Sequence, residues 1–149
     1  MTDIEFQSLI QLKKIFAKKD VILPFTGNCN TYDLKSVDTK DRFYLDIDRR
    51  GKIELKTKLQ NRYAKNKMPL VRIDIDSPPH INPDGTKLSR NHIHIYKDCD
   101  KDTNNLPWAY ELNDIFGNDI NIKSLNFMTA FNLICKYCNI STYGIQGVI

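Results

Sequence analysis

The 149 residues of the chain suit one domain with a real core, since a domain of this size buries roughly 68–70% of the surface its unfolded chain exposes. Hydrophobic residues make up 41% and charged residues 27%, with 22 basic against 18 acidic side chains. That balance excludes a disordered polyelectrolyte and falls short of the strongly basic signature of an obligate DNA binder, while admitting an anionic partner.

No apolar run approaches the roughly 20 residues that span a bilayer. Met1-Thr2-Asp3-Ile4-Glu5 lacks the basic and apolar regions of a signal peptide, so the expected compartment is the cytoplasm, with no membrane partner.

Thr2-x-x-Glu5 has the form of a capping box, and Leu9, Leu12, Ile15 and Phe16 recur at helical spacing, which predicts an amphipathic helix over the first 18 residues. Val21-Ile22-Leu23-Pro24-Phe25 suits a short strand whose proline places it at an edge or an end, with a loop from Thr26-Gly27-Asn28 onward. From Arg42 to Tyr96 the period changes to two. Phe43, Leu45 and Ile47 alternate with Tyr44, Asp46 and Asp48; after Arg49-Arg50-Gly51, Ile53 and Leu55 alternate with Glu54, Lys56 and Lys58. Val71, Ile73 and Ile75 then alternate with Arg72, Asp74 and Asp76, and Ile93 and Ile95 with His92, His94 and Tyr96. This is the pattern of an antiparallel sheet with one wet face.

Ser77-Pro78-Pro79-His80-Ile81-Asn82-Pro83-Asp84-Gly85 is dense in turn-setting residues and reads as a shaped loop. Trp108 to Leu112 suits a last strand, and Ile122, Leu125, Phe127, Met128, Phe131, Ile134 and Tyr137 mark a closing helix after an Asn121 cap. With no repeat or linker, residues 1–149 are read as a single α+β domain. Its expected form is a mainly antiparallel four- to five-stranded sheet with the N- and C-terminal helices packed on one face.

Cys135-Lys136-Tyr137-Cys138 is the only close cysteine pair. A tetrahedral zinc site needs two further ligands, and no second pair or spaced histidines lie near it in sequence, so two small apolar side chains near a helix end is the better reading.

All three histidines fall at positions 80, 92 and 94. His92 and His94 would share one side of a strand with Cα atoms about 6.6 Å apart. Imidazoles titrate near neutrality, so two of them can take and return a proton, as cleavage of RNA through its own 2′-hydroxyl requires, while a cation steadies the phosphorane. Arg72, Lys56 and Lys58 are predicted to share that face, Tyr96 to donate to a phosphate, and Asp74 to orient a histidine. The outer face of a half-solvated sheet is polar without any function, which is the plainer account of Asp46, Glu54, Lys56 and Asp76 taken singly. A metal site is the rival chemistry, since His-x-His on a strand can present two imidazoles to one ion. It is disfavoured here by the basic neighbours and by the lack of a carboxylate in matched spacing, so neither metal nor other cofactor is assigned. No P-loop, GxGxxG or GxSxG element occurs.

Taken in order, Gln60-Asn61-Arg62, Leu70-Val71-Arg72-Ile73-Asp74, Pro79-His80-Ile81-Asn82-Pro83-Asp84-Gly85, His92-Ile93-His94-Ile95-Tyr96 and Trp108-Ala109 resemble an uncharacterised family of small bacterial and phage proteins, a domain of unknown function. The likeness runs from about Phe43 to Ile140. It implies candidate positions rather than roles: Gln60, Asn61, Arg62, Arg72, Asp74, His80, Asn82, Asp84, His92, His94, Tyr96 and Trp108.

The resulting expectation is a nuclease-like, toxin-type RNase acting without a metal in conflict between host and mobile element. His92 and His94 would be its acid and base and Arg72 its phosphate clamp, with His80 and Tyr96 beside them. Gln60, Asn61, Arg62, Lys56, Asp74, Asn82, Asp84 and Trp108 would bind. The alternative is a non-catalytic phage or mobile-element inhibitor of a nucleic-acid-containing defence complex, of the anti-CRISPR kind, in which Asp46, Asp48, Glu54, Asp74 and Asp76 mimic phosphates.

Overall fold

The computed structural model describes residues 1–51, 56–99, 105–121 and 125–146. In chain order its elements are α1 (Asp3–Gln11), β1 (Lys14–Phe16), β2 (Val21–Ile22), β3 (Cys29–Ser36), β4 (Arg42–Asp48), β5 (Thr57–Tyr63), β6 (Pro69–Ile75), β7 (His92–Ile95), β8 (Ala109–Glu111), α2 (Leu112–Phe116), α3 (Phe127–Tyr137) and β9 (Ile145–Gln146). Seven strands form one antiparallel sheet in the order β1-β3-β4-β5-β6-β7-β8, and β2 pairs in parallel with β9. The α+β class is as expected, with more strands than the alternation suggested.

One face of the sheet is apolar. Leu34, Phe43, Leu45, Ile47, Leu59, Ile73 and Ile93 are buried there in a cluster that includes Phe6 and Ile10 of α1 and Ala130, Phe131, Ile134 and Cys135 of α3. The two terminal helices therefore cover the core, each started by a side-chain cap. Thr2 Oγ1 accepts from Glu5 N, and Asn126 Oδ1 accepts from Thr129 N. The closing helix begins at that Asn126 cap rather than at Asn121. Cys135 and Cys138 are buried free thiols.

The helix expected over 18 residues ends at Gln11, and Lys14 explains the break. Its buried ammonium donates to the carbonyls of Ile10 (3.1 Å), Leu12 (3.0 Å) and Cys138 (2.6 Å), so it satisfies carbonyls at the C-terminal ends of both α1 and α3. Ile15 and Phe16, apolar at helical spacing, belong instead to β1. Strand β3 lies where a loop was expected, because only Tyr32 and Leu34 mark its inner side with large apolar groups. Ile53, Glu54 and Leu55 of the expected hairpin arm lie outside the described residues. The described arm, β5, buries Thr57, Leu59 and Asn61, with Asn61 Nδ2 donating to Tyr44 O at 3.0 Å.

The opposite, polar face is built in cross-strand rows. One row runs Asp48, Lys58, Asp74, His92, Glu111, and the next runs Asp46, Gln60, Arg72, His94, Ala109. Register alone thus sets Asp74 opposite His92 and Arg72 opposite His94.

Candidate active site at the histidine cluster

Two short segments close over the polar face of β6 and β7. The first is the proline-rich loop. Asn82 N donates to Thr86 O (2.9 Å) and Gly85 N to Asn82 O (2.8 Å), with Gly85 at φ 89°, a conformation that suits glycine. Asp84 Oδ1 accepts from Thr86 N, and Leu88 N donates to His80 O. The Asn82 side chain donates to Ala109 O and accepts from Ala109 N, both at 2.9 Å, which ties the loop to β8. The second segment precedes β8 and supplies the carbonyls of Leu106 and Pro107, with Leu106 at φ 48°.

These carbonyls fix all three imidazoles. His92 Nδ1 donates to Ser89 O, His94 Nδ1 to Leu106 O and His80 Nε2 to Pro107 O, each at 2.7 Å. Ring centroids lie 4.8 Å apart for His92 and His94, 4.6 Å for His80 and His94, and 5.7 Å for His80 and His92.

With Nδ1 of His92 and His94 committed to backbone oxygens, their Nε2 atoms face the sheet. His94 Nε2 is 3.2 Å and His92 Nε2 3.5 Å from Asp74 Oδ2. Arg72 Nε donates to the other oxygen, Oδ1, at 2.9 Å.

The expected open, solvated histidine face is corrected by this enclosure: His92 is 1% and His94 2% exposed. Both still point away from the side that buries Ile93. They are covered because the loop and the Leu106-Pro107 segment fold back onto them. Toward solvent the cluster presents Arg72, whose side chain is 23% exposed, and the half-buried His80. Tyr96 leaves the cluster altogether. It follows the end of β7, so the alternation no longer governs it; its ring packs 5.5 Å from Phe6 in the core and its hydroxyl donates to the Met1 carbonyl.

The remaining candidates are scattered. Gln60 and Arg62 both bind Asp46, Arg62 through two contacts at 2.5 and 2.8 Å, and the Arg62 guanidinium lies over the Tyr44 ring. Asn61 points into the core, Asp84 is an exposed turn residue, and Lys56 lies beside Gly51 at the far end of β4 and β5. Trp108 carries the Lys97 ammonium 4.3 Å from its ring centre. Reading side chains alone missed Ser89, Leu106 and Pro107, which act through backbone oxygens and leave no signature of residue type.

Burial by itself would raise the Asp74 carboxyl, but the imidazoles, wherever Nε2 carries a proton, and the charge of Arg72 act against it and hold the group below the usual carboxylate range. Burial lowers the proton affinity of His94, and Arg72 adds to that effect while Asp74 opposes it. Among the described residues, Asp74, His92 and His94 form a group able to hold a metal ion, with one ligand atom from each lying within 4.8 Å of the others. The carboxylate missing from the sequence spacing is therefore present: Asp74 reaches the histidines across the strand pair, 18 and 20 residues away in the chain.

Fold and site together define a small α+β domain built around an enclosed histidine–carboxylate cluster. The chain belongs to DUF6978, a family of unknown function that matches residues 1–140. No curated protein and no solved structure matches it. Among the described residues, no helix is long and apolar enough to cross a membrane.

Proposed function

We propose that the chain is a small nuclease-like enzyme of the toxin type that cleaves RNA at the histidine cluster. The observation that carries this reading is the convergence of all three histidines with the Asp74–Arg72 pair in one enclosed site. Cleavage through the 2′-hydroxyl needs a proton acceptor, a proton donor and a cation on the phosphate. Burial favours a division of labour among these residues. His80 and Arg72, the members nearest solvent, are assigned proton transfer and phosphate binding: His80 takes the 2′-hydroxyl proton and returns it to the departing 5′-oxygen while Arg72 holds the phosphate. His92 and His94 form the interior of the site and hold Asp74, which in turn aims the Arg72 guanidinium.

The rival reading, an inhibitor that mimics phosphates, draws less support. Asp46, Asp48, Asp74 and Asp76 are each paired with an arginine, respectively Arg62, Arg50, Arg72 and Arg90. Such acids are largely neutralised as a negative surface, and Glu54 lies outside the described residues.

The test is incubation of the full chain with unstructured RNA and analysis of the products on gels. Cleavage that disappears in Arg72→Ala and His80→Ala is expected. A folded protein that cuts neither RNA nor DNA, yet blocks a defence complex through Asp46 or Asp76, would overturn the enzyme in favour of the inhibitor.

A further inference from the structure

We infer that the Asp74–His92–His94 cluster is a binding site for one divalent transition-metal ion of the zinc class, held by Asp74 Oδ2, His92 Nε2 and His94 Nε2. This deepens the preceding reading by naming a cofactor for the same site, but it stands on geometry that is independent of RNA cleavage.

The argument begins with the backbone. A carbonyl oxygen can only accept, so the contacts to Ser89 O and Leu106 O place a proton on Nδ1 of both rings. In the neutral imidazole the other nitrogen, Nε2, then presents a lone pair. Both Nε2 atoms lie close to Asp74 Oδ2, at 3.5 and 3.2 Å, and that oxygen is itself an acceptor.

Three acceptors turned toward one another in a space shut off from water repel unless a cation lies between them. A proton serves poorly for His94, because its Nε2 is buried with no hydrogen-bond partner among the described residues although Oδ2 is only 3.2 Å away. The separation is right for a bond, but the direction is not.

An ion removes that conflict, and the two nitrogen-to-oxygen edges fit one, with all three ligand atoms within 4.8 Å of one another. Tetrahedral zinc with bonds of about 2.0–2.1 Å sets its ligand atoms about 3.3–3.4 Å apart. The two nitrogen-to-oxygen edges here measure 3.2 and 3.5 Å. Two imidazoles and one carboxylate suit zinc, cobalt or nickel, whereas magnesium and calcium prefer oxygen throughout.

The surroundings are those of a prepared site. Each ligating ring is oriented by a hydrogen bond from its far nitrogen, and the carboxylate is oriented by Arg72 on the oxygen that faces away from the ion. Three protein ligands leave a fourth position, as catalytic zinc sites do.

The decisive experiment uses the EDTA-stripped full chain titrated with Co²⁺ and Zn²⁺, read by visible absorption and calorimetry. One equivalent should bind with the intense bands of tetrahedral cobalt, and Zn²⁺ should displace it. Asp74→Asn and His94→Gln, chosen to preserve volume, should each weaken binding by more than about 100-fold, since loss of outer-shell partners alone costs about 10–100-fold. Circular dichroism and thermal unfolding in EDTA show whether each variant is folded. Binding without RNA cleavage leaves the metal assignment standing and removes the nuclease. Cleavage by stripped protein that binds no cobalt removes the metal and leaves the nuclease. A thiolate-to-cobalt band would place the ion at the cysteines and overturn the assignment, as would unchanged affinity in folded Asp74→Asn.

Discussion

The Asp74 carboxylate is divided between two tasks: Oδ1 accepts from Arg72 Nε at 2.9 Å, and Oδ2 faces His94 Nε2 at 3.2 Å. One side chain thus joins the solvent-facing cation, two residues back on its own strand, to the enclosed rings, which only the register of β6 against β7 brings to it.

Removing one partner of a fully buried ion pair costs about 3–5 kcal/mol. Arg72 retains some exposure, which screens the loss, so Asp74→Ala should destabilise the fold by about 1–3 kcal/mol. Urea unfolding measures it. A shift below about 0.5 kcal/mol, the range of ordinary surface substitutions, would show that the pair contributes nothing to the fold.

Arg72→Lys separates geometry from charge. Lysine keeps the positive charge but cannot reproduce the planar, two-pronged grip of guanidinium on phosphate, so RNA cleavage should fall sharply. His80→Gln removes a proton-transfer group and should cost about 10²–10⁴-fold in rate. Full activity in His80→Gln would take proton transfer away from the exposed ring.

Asn82 offers a test of the loop that encloses the site. Its amide makes both hydrogen bonds to the backbone of Ala109. Asn82→Ala leaves a buried donor and a buried acceptor unpaired, at about 1–3 kcal/mol each before relaxation, so a loss of about 2–4 kcal/mol is expected. Amide hydrogen exchange at Ala109 should quicken in the variant. Protection equal to wild type would mean that the loop is held by other contacts.

Lys14 supplies a pH signature away from the site. Burial pushes its amine down from 10.5 to about 8, with Cys138 pulling weakly the other way. Between those values the unfolded chain carries a proton that the folded chain has released, so this residue makes stability rise with pH across the window. The gain is about 3 kcal/mol when complete. Below pH 8 both states are protonated and the contribution is flat. Comparing urea unfolding of wild type and Lys14→Met from pH 7 to 10.5 isolates it from the tyrosines and thiols. A stability difference that does not change with pH would contradict the buried-ammonium assignment.

Alternation was legible where large apolar residues mark every inward position, as in Phe43, Leu45 and Ile47 or Val71, Ile73 and Ile75. It failed for β5, whose inward positions include Thr57 and Asn61, and for β3, whose inner side ends in Ser36. The histidine pair was visible as a pair, because two residues apart on a strand means one side. Asp74 was legible as a carboxylate that could orient a histidine, but its place between both rings, close enough to share an ion with them, was not, since the partner of His92 depends on cross-strand register. Nor was the enclosure of the histidines visible, which depends on a loop folding back and on main-chain oxygens of residues that chemistry would not single out. Tyr96 was misplaced because the period of two ends with the strand at Ile95.

The amide of Asn82 has a second consequence. Strand β8 is three residues long and forms one border of the sheet, where a bare backbone would invite pairing with another chain. Ala109 turns its amide and carbonyl outward there, and both are already occupied by a side chain that imitates a neighbouring strand. At the opposite border Lys14 is likewise engaged, its amide with Asn139 and its carbonyl with Ser141. At these two residues the backbone groups that an added strand would need are taken, so the loop that shelters the histidines also occupies part of an edge of the sheet.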